Sequence, residues 1–355
     1  MELAINYLKE YKKQIDPIIE KVFMDLETEA TQISPIAKDA AERYHRFMLG
    51  GKKHRGALTK FGYELFNSEI NEDVLKASLA IEITHAFALI HDDVMDQDIL
   101  RRKNPTVHKQ YEKSFETILS KDENRHYAES MAYTLGDLGM FLGQLILNKL
   151  DFPPDRRSKA ITHYVGRIME VVYGQLLDVS IGIDKPATEK DVLLIHRYKT
   201  GDYSGSLPMI IGAILAGADD EKLNPIYEYG WRIGTAYQIR DDEIGLFGEE
   251  DEIGKPVGSD IRQNKNTLLK VKAIENASET DRQFLNEAYG NNNIEREGIE
   301  RVRQITRDAE AFDYSHTICK KMVNEAYEYI PQITDNKHHQ ELMRSAGKFM
   351  IERTS

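Results

Sequence analysis

The stretch between residues 72 and 100 constrains the fold most, because its 29 residues contain no glycine and no proline. Such a stretch predicts one continuous helix, which at about 1.5 Å per residue would be roughly 40 Å long. We find no alternating β-branched run bounded by turn residues and no repeat of about 20–50 residues. The sequence therefore predicts an all-α fold. Further helices are predicted near 1–29, from Ser34-Pro35 onward, and near 127–149, 155–181, 188–199, 202–217, 221–247, 262–277, 294–329 and 337–352.

Charge and cysteine content exclude several classes of protein. With 47 basic and 59 acidic side chains the net charge is −12, so the chain repels phosphate backbones and nucleic acid is not expected as a partner. One cysteine, Cys319, allows neither an internal disulfide nor a cysteine zinc site. The first residues contain no apolar signal-peptide core, and the longest apolar run, 208–218, is about half of a membrane span. We expect a cytoplasmic protein without a membrane span.

Two acidic clusters follow apolar helical stretches. In the first, Asp92 and Asp96 lie four residues apart, which places them on one helix face roughly 6 Å apart. In the second, Asp241 and Asp242 follow Gln238. Carboxylates on one face repel each other and need a counter-charge, and oxygen ligands suit a hard cation such as Mg²⁺. A single cluster of this kind is equally a solvated helix end, but two with the same Asp-Asp pair favour a shared metal function.

Basic residues accompany both acidic clusters. A glycine pair precedes three cationic side chains in Gly50-Gly51-Lys52-Lys53-His54-Arg55, where the backbone can approach a ligand and the cations suit a diphosphate. Taken alone, this segment is more simply interpreted as an exposed basic turn. The other basic segments are Arg101-Arg102, Lys199-Thr200-Gly201 in a helical region, and Lys255 and Lys265 in or beside a glycine-rich loop. An interruption of the helical region at 199–201 is predicted, either a functional kink or, more simply, a short inter-helix turn. The simpler interpretations of the other segments are salt bridges for the arginine pair and solubility for the two lysines.

Taken together, these motifs resemble the trans-isoprenyl diphosphate synthases, or polyprenyl synthetases, in order and spacing over roughly residues 40–270. The resemblance implies a helical bundle around a large central cavity, in one isoprenoid synthase domain spanning residues 1–355. The matching segments are Gly50-Gly51-Lys52-Lys53-His54-Arg55 (GGKxxR), Asp92-Asp93-Val94-Met95-Asp96 (DDxxD), Arg101-Arg102 with Pro105-Thr106 (RRxxPT), Lys199-Thr200 (KT), Gln238 with Asp241-Asp242 (second aspartate motif), and Gly254-Lys255-Pro256 with Asp260 and Lys265 (GKxxGxD…K).

The resemblance also implies a role for each residue. Asp92, Asp96 and Asp241 would hold Mg²⁺, about three ions per active site, bridging to an allylic diphosphate. The residues that would surround the same diphosphate are Arg101, Lys199, Thr200, Gln238, Lys255 and Lys265. The residues that would bind the diphosphate of isopentenyl diphosphate are Lys52, Arg55, His85 and Arg102. The catalytic set is Asp92, Asp93, Asp96, Arg101, Lys199, Asp241 and Asp242.

The implied reaction is an ionisation, a condensation and an elimination. The allylic substrate (dimethylallyl, geranyl or farnesyl diphosphate) loses pyrophosphate, and the double bond of isopentenyl diphosphate attacks the carbocation. Metal ions and fixed cations stabilise the charge that develops on the leaving group. In this family the pyrophosphate itself takes the proton, so no protein base is named. The family is commonly homodimeric, and a homodimer is expected here.

Four positions depart from the family pattern. Lys53 replaces an arginine, Gly56 stands where proline is usual, and Lys103 stands where glycine is usual. The second aspartate motif ends in Gly245, so its third aspartate is missing. Some family members also have glycine there, and Asp241 and Asp242 remain as the candidate ligands.

The residues before the first aspartate motif address the product length. In this family the product tail grows beside the helix of that motif, and a bulky residue stops it. Phe87 lies five residues before Asp92, with Ala88 next to it and the small Thr84 one turn earlier. This combination resembles archaeal-type geranylgeranyl (C20) synthases, with Phe87 as the residue that stops growth. An ordinary core aromatic is the simpler interpretation, because ideal geometry places Phe87 about 140° from Asp92.

Several alternatives stay open at this point. Within the family, the product could be farnesyl diphosphate (C15) or a C15/C20 mixture. A class I terpene cyclase uses similar aspartates but has no need of a second diphosphate site, which Lys52, Arg55 and His85 would form. A non-catalytic helical subunit of a partner synthase should have lost its metal ligands, whereas the five aspartates of both motifs are present.

Overall fold

The computed structural model describes residues 1–249 and 257–353, and these are predominantly helical. The predicted all-α class is confirmed. The helices are α1 (Glu2–Ile33), α2 (Pro35–Leu49), α3 (His54–Glu64), α4 (Glu72–Met95), α5 (Val107–Phe115), α6 (Lys121–Lys149), α7 (Pro154–Ser180), α8 (Glu189–Ile195), a π-helix (His196–Ser206), α9 (Leu207–Ala216), α10 (Asp220–Phe247), α11 (Ser259–Arg262), α12 (Leu268–Asn276), α13 (Glu279–Ala288), α14 (Arg296–Asp308), α15 (Ala311–Tyr327), α16 (Ile330–Ile333) and α17 (Lys337–Glu352). Two short strands, β1 (Leu100–Arg101) and β2 (Asn104–Pro105), pair antiparallel, and the sequence did not predict them.

Capping side chains set several helix boundaries. The Ser34 hydroxyl accepts the Ala37 N–H at 3.1 Å, and Pro35 opens α2 as predicted. Asn71 caps α4 in the same way through the Val74 N–H. The predicted end of α4 at residue 100 is wrong, because the helix stops at Met95 and Gln97 turns the chain in a left-handed conformation with a φ of 54°.

The described chain divides into two compact units. The first, which we call the α4 unit, comprises Ile5–Ile161 and Ile211–Gly217. In it α4 packs against α3 and α6, and its core contains fully buried aromatic side chains such as Tyr11 and Tyr44. Within the described residues, α4 is the helix long and apolar enough to cross a bilayer, but 67% of its most apolar window is buried, as in the core helix of a folded domain.

The second unit, the α10 unit, comprises Met1–Ala4, Thr162–Ile210 and Ala218–Ser355, apart from the undescribed residues. Its central contact joins α10 to the π-helix, and α15 packs on α10 as well. The two backbones touch at glycines: a Cβ on Gly205 would lie 1.9 Å from the carbonyl oxygen of Gly230. The interruption predicted at Lys199-Thr200-Gly201 is therefore not a break, because these residues continue the helix in a π-helical conformation.

Several predicted helices differ in their extent. The region 294–329 divides into α14 and α15, because Glu310 between them is left-handed with a φ of 54°. The region 262–277 divides at Thr267, whose hydroxyl caps α12 by accepting the Lys270 N–H. The helices α3, α5, α13 and α16 were not predicted. The single domain over residues 1–355 and its central cavity stay predictions.

Candidate functional site

The first acidic cluster occupies the last turn of α4 and its C-cap. The Asp96 N–H donates to the Asp92 carbonyl oxygen at 2.8 Å, so the two residues follow each other by one helical turn, as their spacing predicted. Both are partly exposed, whereas Asp93 between them is fully buried. The cluster thus separates into two accessible aspartates and one aspartate that belongs to the interior.

Asp93 forms a buried ion pair with Arg101. The Arg101 Nε lies 2.7 and 2.8 Å from the two Asp93 oxygens, and Nη2 lies 2.6 Å from Oδ1. Asp98 approaches the same guanidinium at 3.8 Å. Burial alone would lower the Arg101 pKa, but the carboxylate of Asp93 outweighs it and the pKa is raised. Asp93 therefore anchors Arg101 beside the accessible aspartates.

The β1–β2 hairpin carries Arg101 and Arg102. Residues Arg101 and Asn104 are paired across it, which leaves Arg102 and Lys103 as a two-residue turn. Both have positive φ, 52° and 66°, as a type I′ hairpin turn requires. Lys103 thus occupies a left-handed position, which explains why glycine is usual there in the family that the sequence resembles.

We expect Lys103→Gly to stabilise the fold by about 0.5–1 kcal/mol. A left-handed conformation costs a residue with a Cβ about 1–2 kcal/mol, and the extra backbone entropy that glycine loses offsets about half of it. Urea denaturation of the two proteins measures the difference. The matched control is Lys109→Gly, in which the same exchange within α5 should destabilise by about 1 kcal/mol. Equal stability of wild type and Lys103→Gly would contradict the strained turn.

A cluster of cationic side chains lies beside the hairpin. Arg102 rests on the glycine pair before α3, where a Cβ on Gly51 would stand 2.6 Å from its Nη2. Burial lowers the His85 pKa well below its usual range, and the nearby Arg55 and Arg102 lower it further. Burial and the neighbouring Arg101 lower the pKa of Arg102 as well. Positive charge is therefore concentrated here, as in a site for a multiply charged anion.

Two departures from the family pattern, Gly56 and Lys53, lie in this region. The Gly56 N–H donates to Glu82 at 2.7 Å, and a Cβ on Gly56 would lie 2.1 Å from the Tyr11 hydroxyl. Proline there would lose this hydrogen bond and collide with Tyr11. Lys53 is buried, its ammonium donates to the Met48 carbonyl oxygen, and burial lowers its pKa to about 8. By contrast, Lys52 is exposed.

The residues predicted to control product length lie in the middle of α4. Phe87 is buried, and its ring meets the His91 ring edge-on at 5.7 Å. The His91 Nε2 in turn lies 2.9 Å from the Tyr133 carbonyl oxygen of α6. Thr84 is buried with its hydroxyl donating to the Ala80 carbonyl oxygen, and Ala88 is partly exposed. The role of Phe87 in stopping chain growth stays a prediction.

The second acidic cluster, on α10, contains three acids in different environments. Asp242 is buried against His196 of the π-helix, whose Nε2 lies 3.0 Å from Oδ2. Gln238 donates to its Oδ1 at 2.9 Å and Lys265 at 3.3 Å. Burial would raise the Asp242 pKa, but Lys265, followed by His196 and Gln238, holds it below its usual range. Asp242 is an internal anion that joins three segments of the unit.

The neighbours of Asp242 differ from it in exposure. Glu243 is buried and accepts hydrogen bonds from Arg240 at 2.8 Å and from Ser315 of α15 at 2.8 Å. Asp241 is exposed, and its Oδ1 lies 2.6 Å from the Nη2 of Arg353. Of the three acids, Asp241 is the one whose carboxylate a ligand in solution can reach.

The Lys-Thr pair of the π-helix is held by neighbours within its unit. Lys199 forms an ion pair with Asp178 of α7 at 2.6 Å. The Thr200 hydroxyl donates to the Gln238 Oε1 at 3.0 Å. The structure thus brings together Lys199, Thr200, Gln238, Asp242 and Lys265 within the α10 unit. Lys255 lies outside the described residues.

Three residues that form ion pairs with predicted site residues were not predicted from the sequence: Asp178, His196 and Arg353. His196 precedes Lys199 by three residues, and this helical spacing is a signal that could have found it. No local pattern indicates Asp178 or Arg353, because each meets its partner through the tertiary fold.

The missing third aspartate of the second motif also has an explanation. A Cβ on Gly245 would lie 2.8 Å from the Oδ2 of Asp260. The carboxylate of Asp260 therefore stands against the position where a third aspartate would begin. An aspartate at position 245 would place two carboxylates in conflict, which is unfavourable without a cation.

The acidic side chains of the two clusters can be compared with the ligands that Mg²⁺ uses in proteins. Among residues 1–249 and 257–353 no three acidic, histidine or cysteine side chains converge as a complete metal site. Mg²⁺ does not need such a cage, because it is typically held by one or two carboxylates together with water and substrate phosphates. Asp92 and Asp96 in the α4 unit, and Asp241 in the α10 unit, are accessible carboxylates of the kind that this mode of binding uses.

Comparisons with known proteins agree with this chemistry. The model of the polyprenyl synthetase family matches residues 38–306. The geranylgeranyl diphosphate synthase of Saccharolobus solfataricus is 31% identical over 87% of this chain and 89% of its own. The geranylfarnesyl diphosphate synthase of Natronomonas pharaonis is 30% identical over 79% and 76%. The structure of a Corynebacterium glutamicum geranylgeranyl pyrophosphate synthase complexed with isoprenyl diphosphate and magnesium superposes with a TM-score of 0.88, at 25% identity, over 99% and 98% of the two chains.

The chain belongs to the polyprenyl synthetase family. It is a prenyltransferase of isoprenoid biosynthesis that depends on a divalent metal and uses prenyl diphosphate substrates. The family resemblance that the motifs indicated is confirmed, and with it the class of enzyme.

Proposed function

We propose that this prenyltransferase is a geranylgeranyl diphosphate synthase, which joins isopentenyl diphosphate to an allylic diphosphate and makes a C20 product. The observation that carries the condensation with isopentenyl diphosphate is the group of Arg55, His85 and Arg102 beside the buried Asp93–Arg101 pair. The C20 length is supported by the geranylgeranyl diphosphate synthases among the relatives. This cationic group provides a second diphosphate site next to the aspartate motif, which an elongating enzyme needs and a cyclase does not.

The first part of the mechanism is the binding of isopentenyl diphosphate. We assign its diphosphate to Arg55, His85, Arg102 and the exposed Lys52. Arg102 is already held against the glycine pair before α3, so little side-chain freedom is lost on binding. His85 is neutral without substrate, and an adjacent diphosphate would favour its protonated form and add one more cation.

The second part is the ionisation of the allylic diphosphate. We assign Mg²⁺, about three ions, to Asp92, Asp96 and Asp241, which would hold the metal so that it could neutralise charge on the departing pyrophosphate. These aspartates belong to different units, so their joint action in one domain is itself part of the proposal. The residues assigned to the same diphosphate are Arg101, Lys199, Thr200, Gln238, Lys255 and Lys265.

Preorganisation supports these assignments. The side chain of Arg101 is fixed by Asp93, that of Lys199 by Asp178, and the Thr200 hydroxyl by Gln238. Cations and dipoles that are already oriented stabilise developing charge without reorganising during the reaction. After the carbon–carbon bond forms, the elimination passes a proton to the pyrophosphate that these residues hold.

A diphosphate-release assay tests the proposed reaction against its alternatives. The protein is incubated with Mg²⁺ and farnesyl diphosphate, with and without isopentenyl diphosphate, and released pyrophosphate is measured. We expect release that requires isopentenyl diphosphate and stops with EDTA. Release without isopentenyl diphosphate would instead identify a terpene cyclase. No release with farnesyl, geranyl or dimethylallyl diphosphate would identify a non-catalytic subunit.

Replacing Phe87 by alanine is expected to lengthen the main product beyond C20. A buried aromatic ring fills space that a longer prenyl tail would need, and its removal opens a cavity. Product length is measured by chromatography of the dephosphorylated alcohols. The control is Phe61→Ala, an equally buried ring in the same unit, which should leave the length unchanged. An unchanged C20 product from Phe87→Ala would contradict the assigned stop.

We infer that two copies of the chain associate through α7. The exposed residues of this helix between Thr162 and Ser180 include no charged side chain. Val165, Met169, Val172 and Leu176 recur every three or four residues and are 36–59% exposed, a pattern typical of a helix seam between protein subunits. A second copy of the chain presents the same seam, which is why a symmetric homodimer fits.

Val172→Glu is expected to convert the dimer into monomers at micromolar concentration. The substitution places a charge in the middle of the apolar seam, where its desolvation opposes association. Multi-angle light scattering after size exclusion gives the mass. Gln283→Glu on α13 adds the same charge to an exposed position elsewhere and should leave the mass unchanged. A dimeric Val172→Glu protein would contradict the α7 interface.

We infer further that the enzyme works in the cytoplasm. Its one thiol, Cys319, is buried, and burial raises the thiol pKa to about 12, so it is unreactive. The acidic chain without an internal disulfide is compatible with that compartment.

A further inference from the structure

Arg353, the residue after α17, lies across one face of α10. Its Nη2 lies 2.6 Å from the Asp241 Oδ1 and donates to the Tyr237 carbonyl oxygen at 3.2 Å. Its guanidinium carbon stands 3.9 Å from the centre of the Tyr237 ring. Arg240 donates to the Arg353 carbonyl oxygen at 3.0 Å. Three residues within one turn of α10 thus fix both the main chain and the side chain of Arg353.

The two members of the Arg353–Asp241 pair differ strongly in exposure. The side chain of Arg353 is 2% exposed, whereas that of Asp241 is 52% exposed. Burial alone would lower the Arg353 pKa, but Tyr237 and Asp241 raise it. Arg353 is thus an enclosed side chain with a fixed position, and Asp241 is its solvent-exposed partner. Such an arginine is not placed to bind substrate itself, because its guanidinium is enclosed by protein.

Asp241 stands alone as the accessible acid of the second cluster. Asp242 is enclosed by His196 and Lys265, and Glu243 is buried. Gly245 supplies no further carboxylate. A single exposed aspartate has rotamer freedom, and that freedom weakens metal binding unless a neighbouring group restricts it.

We propose that Arg353 is a positioning residue for Asp241, holding its Oδ1 so that Oδ2 is presented to Mg²⁺. The inference rests on the proposed function, which assigns Asp241 as a metal ligand. It extends the site to a residue that follows the last helix and that no motif of the sequence includes.

The orienting effect and the charge of Arg353 are expected to change the metal affinity of Asp241 in opposite directions. A guanidinium beside a metal site repels the metal, so by charge alone the loss of Arg353 would tighten metal binding. By orientation, its loss would weaken binding, and partners that orient metal ligands typically contribute 10–100-fold in affinity. Because Asp241 is half exposed, we expect the lower end, about tenfold, and the direction of the change separates the two effects.

The test measures Mn²⁺ affinity by electron paramagnetic resonance, with inorganic pyrophosphate present and without organic substrate. We expect Arg353→Ala to weaken Mn²⁺ binding about tenfold and Arg353→Lys to restore most of it. The Mg²⁺ concentration for half-maximal turnover should rise in parallel, with kcat at saturating Mg²⁺ changing less. Arg344→Ala is the control, because this arginine of α17 lies over the Tyr327 ring and should leave Mn²⁺ affinity unchanged.

Unchanged or tighter Mn²⁺ binding by Arg353→Ala would overturn the inference. Asp241→Asn distinguishes this failure from that of the proposed function. If Asp241→Asn weakens Mn²⁺ binding and Arg353→Ala does not, the positioning role alone is wrong. If Asp241→Asn has no effect, the ligand assignment and the positioning role are both wrong. Arg353→Gln keeps the side-chain stem over Tyr237 and replaces the alanine variant if that protein does not fold.

Discussion

Replacing Asp92 by alanine is expected to lower kcat by about a thousandfold or more and to change the free energy of unfolding by about 1 kcal/mol or less. Asp92 lies partly exposed on the last turn of α4, so its loss removes little packing. As a metal ligand it would help to stabilise the leaving pyrophosphate by several kcal/mol, and about 4 kcal/mol corresponds to about a thousandfold in rate.

Steady-state condensation at saturating Mg²⁺ measures the rate, and urea denaturation measures the stability. Asp16→Ala is the matched control, because Asp16 is a partly exposed acid of the same unit that pairs with Lys12. It should leave turnover unchanged. Turnover of Asp92→Ala within tenfold of wild type would contradict the metal assignment.

Replacing the adjacent Asp93 by alanine is expected to destabilise the fold by about 3–5 kcal/mol. The change leaves Arg101, whose side chain is 15% exposed, without its main carboxylate partner, and an uncompensated buried charge costs about that much. The same variant should lose activity as well, because Arg101 is no longer held beside the aspartates. The adjacent Asp92 and Asp93 are thus expected to differ in their main effect: loss of Asp92 lowers the reaction rate, whereas loss of Asp93 chiefly destabilises the fold.

A double-mutant cycle separates the ion pair from general disruption of α4. Arg101→Met removes the guanidinium, and Asp93→Ala in that background should then cost clearly less than in the wild type. Urea denaturation of the four proteins provides the four free energies. Additive losses, or an Asp93→Ala protein as stable as Asp92→Ala, would contradict the buried pair.

Local sequence was sufficient for much of the fold. Apolar periodicity and the absence of glycine and proline located the helix that carries Asp92, and Ser34 with Pro35 marked the start of α2. The spacing of Asp92 and Asp96 predicted that they follow each other by one turn. These features depend on residues within a few positions of each other, which is why they can be recognised in one sequence.

Which acid of each cluster is buried and which is accessible could not be predicted in this way. Asp92 and Asp93 are identical in type and adjacent, and only the return of Arg101 on the hairpin makes one of them internal. Likewise, Asp241 and Asp242 differ because His196 covers one and Arg353 reaches the other. Each distinction arises from a tertiary contact, which periodicity does not contain.

Two departures from the family pattern are likewise explained by contacts between residues that are distant in the sequence. Gly56 is explained by Tyr11, 45 residues earlier in the chain, and Gly245 by Asp260, 15 residues later. In both cases a neighbouring side chain occupies the space that the usual residue would need. Such substitutions are compensated across the fold, so they are compatible with an active enzyme.

The chain length of the product tests the central proposal most directly. The purified protein is incubated with Mg²⁺, isopentenyl diphosphate and farnesyl diphosphate, and the dephosphorylated product is identified by mass spectrometry. We expect a C20 alcohol as the main product and its loss when EDTA removes the metal. A main product of C25 or longer, or no elongation of farnesyl diphosphate at all, would contradict the proposal that this enzyme makes geranylgeranyl diphosphate.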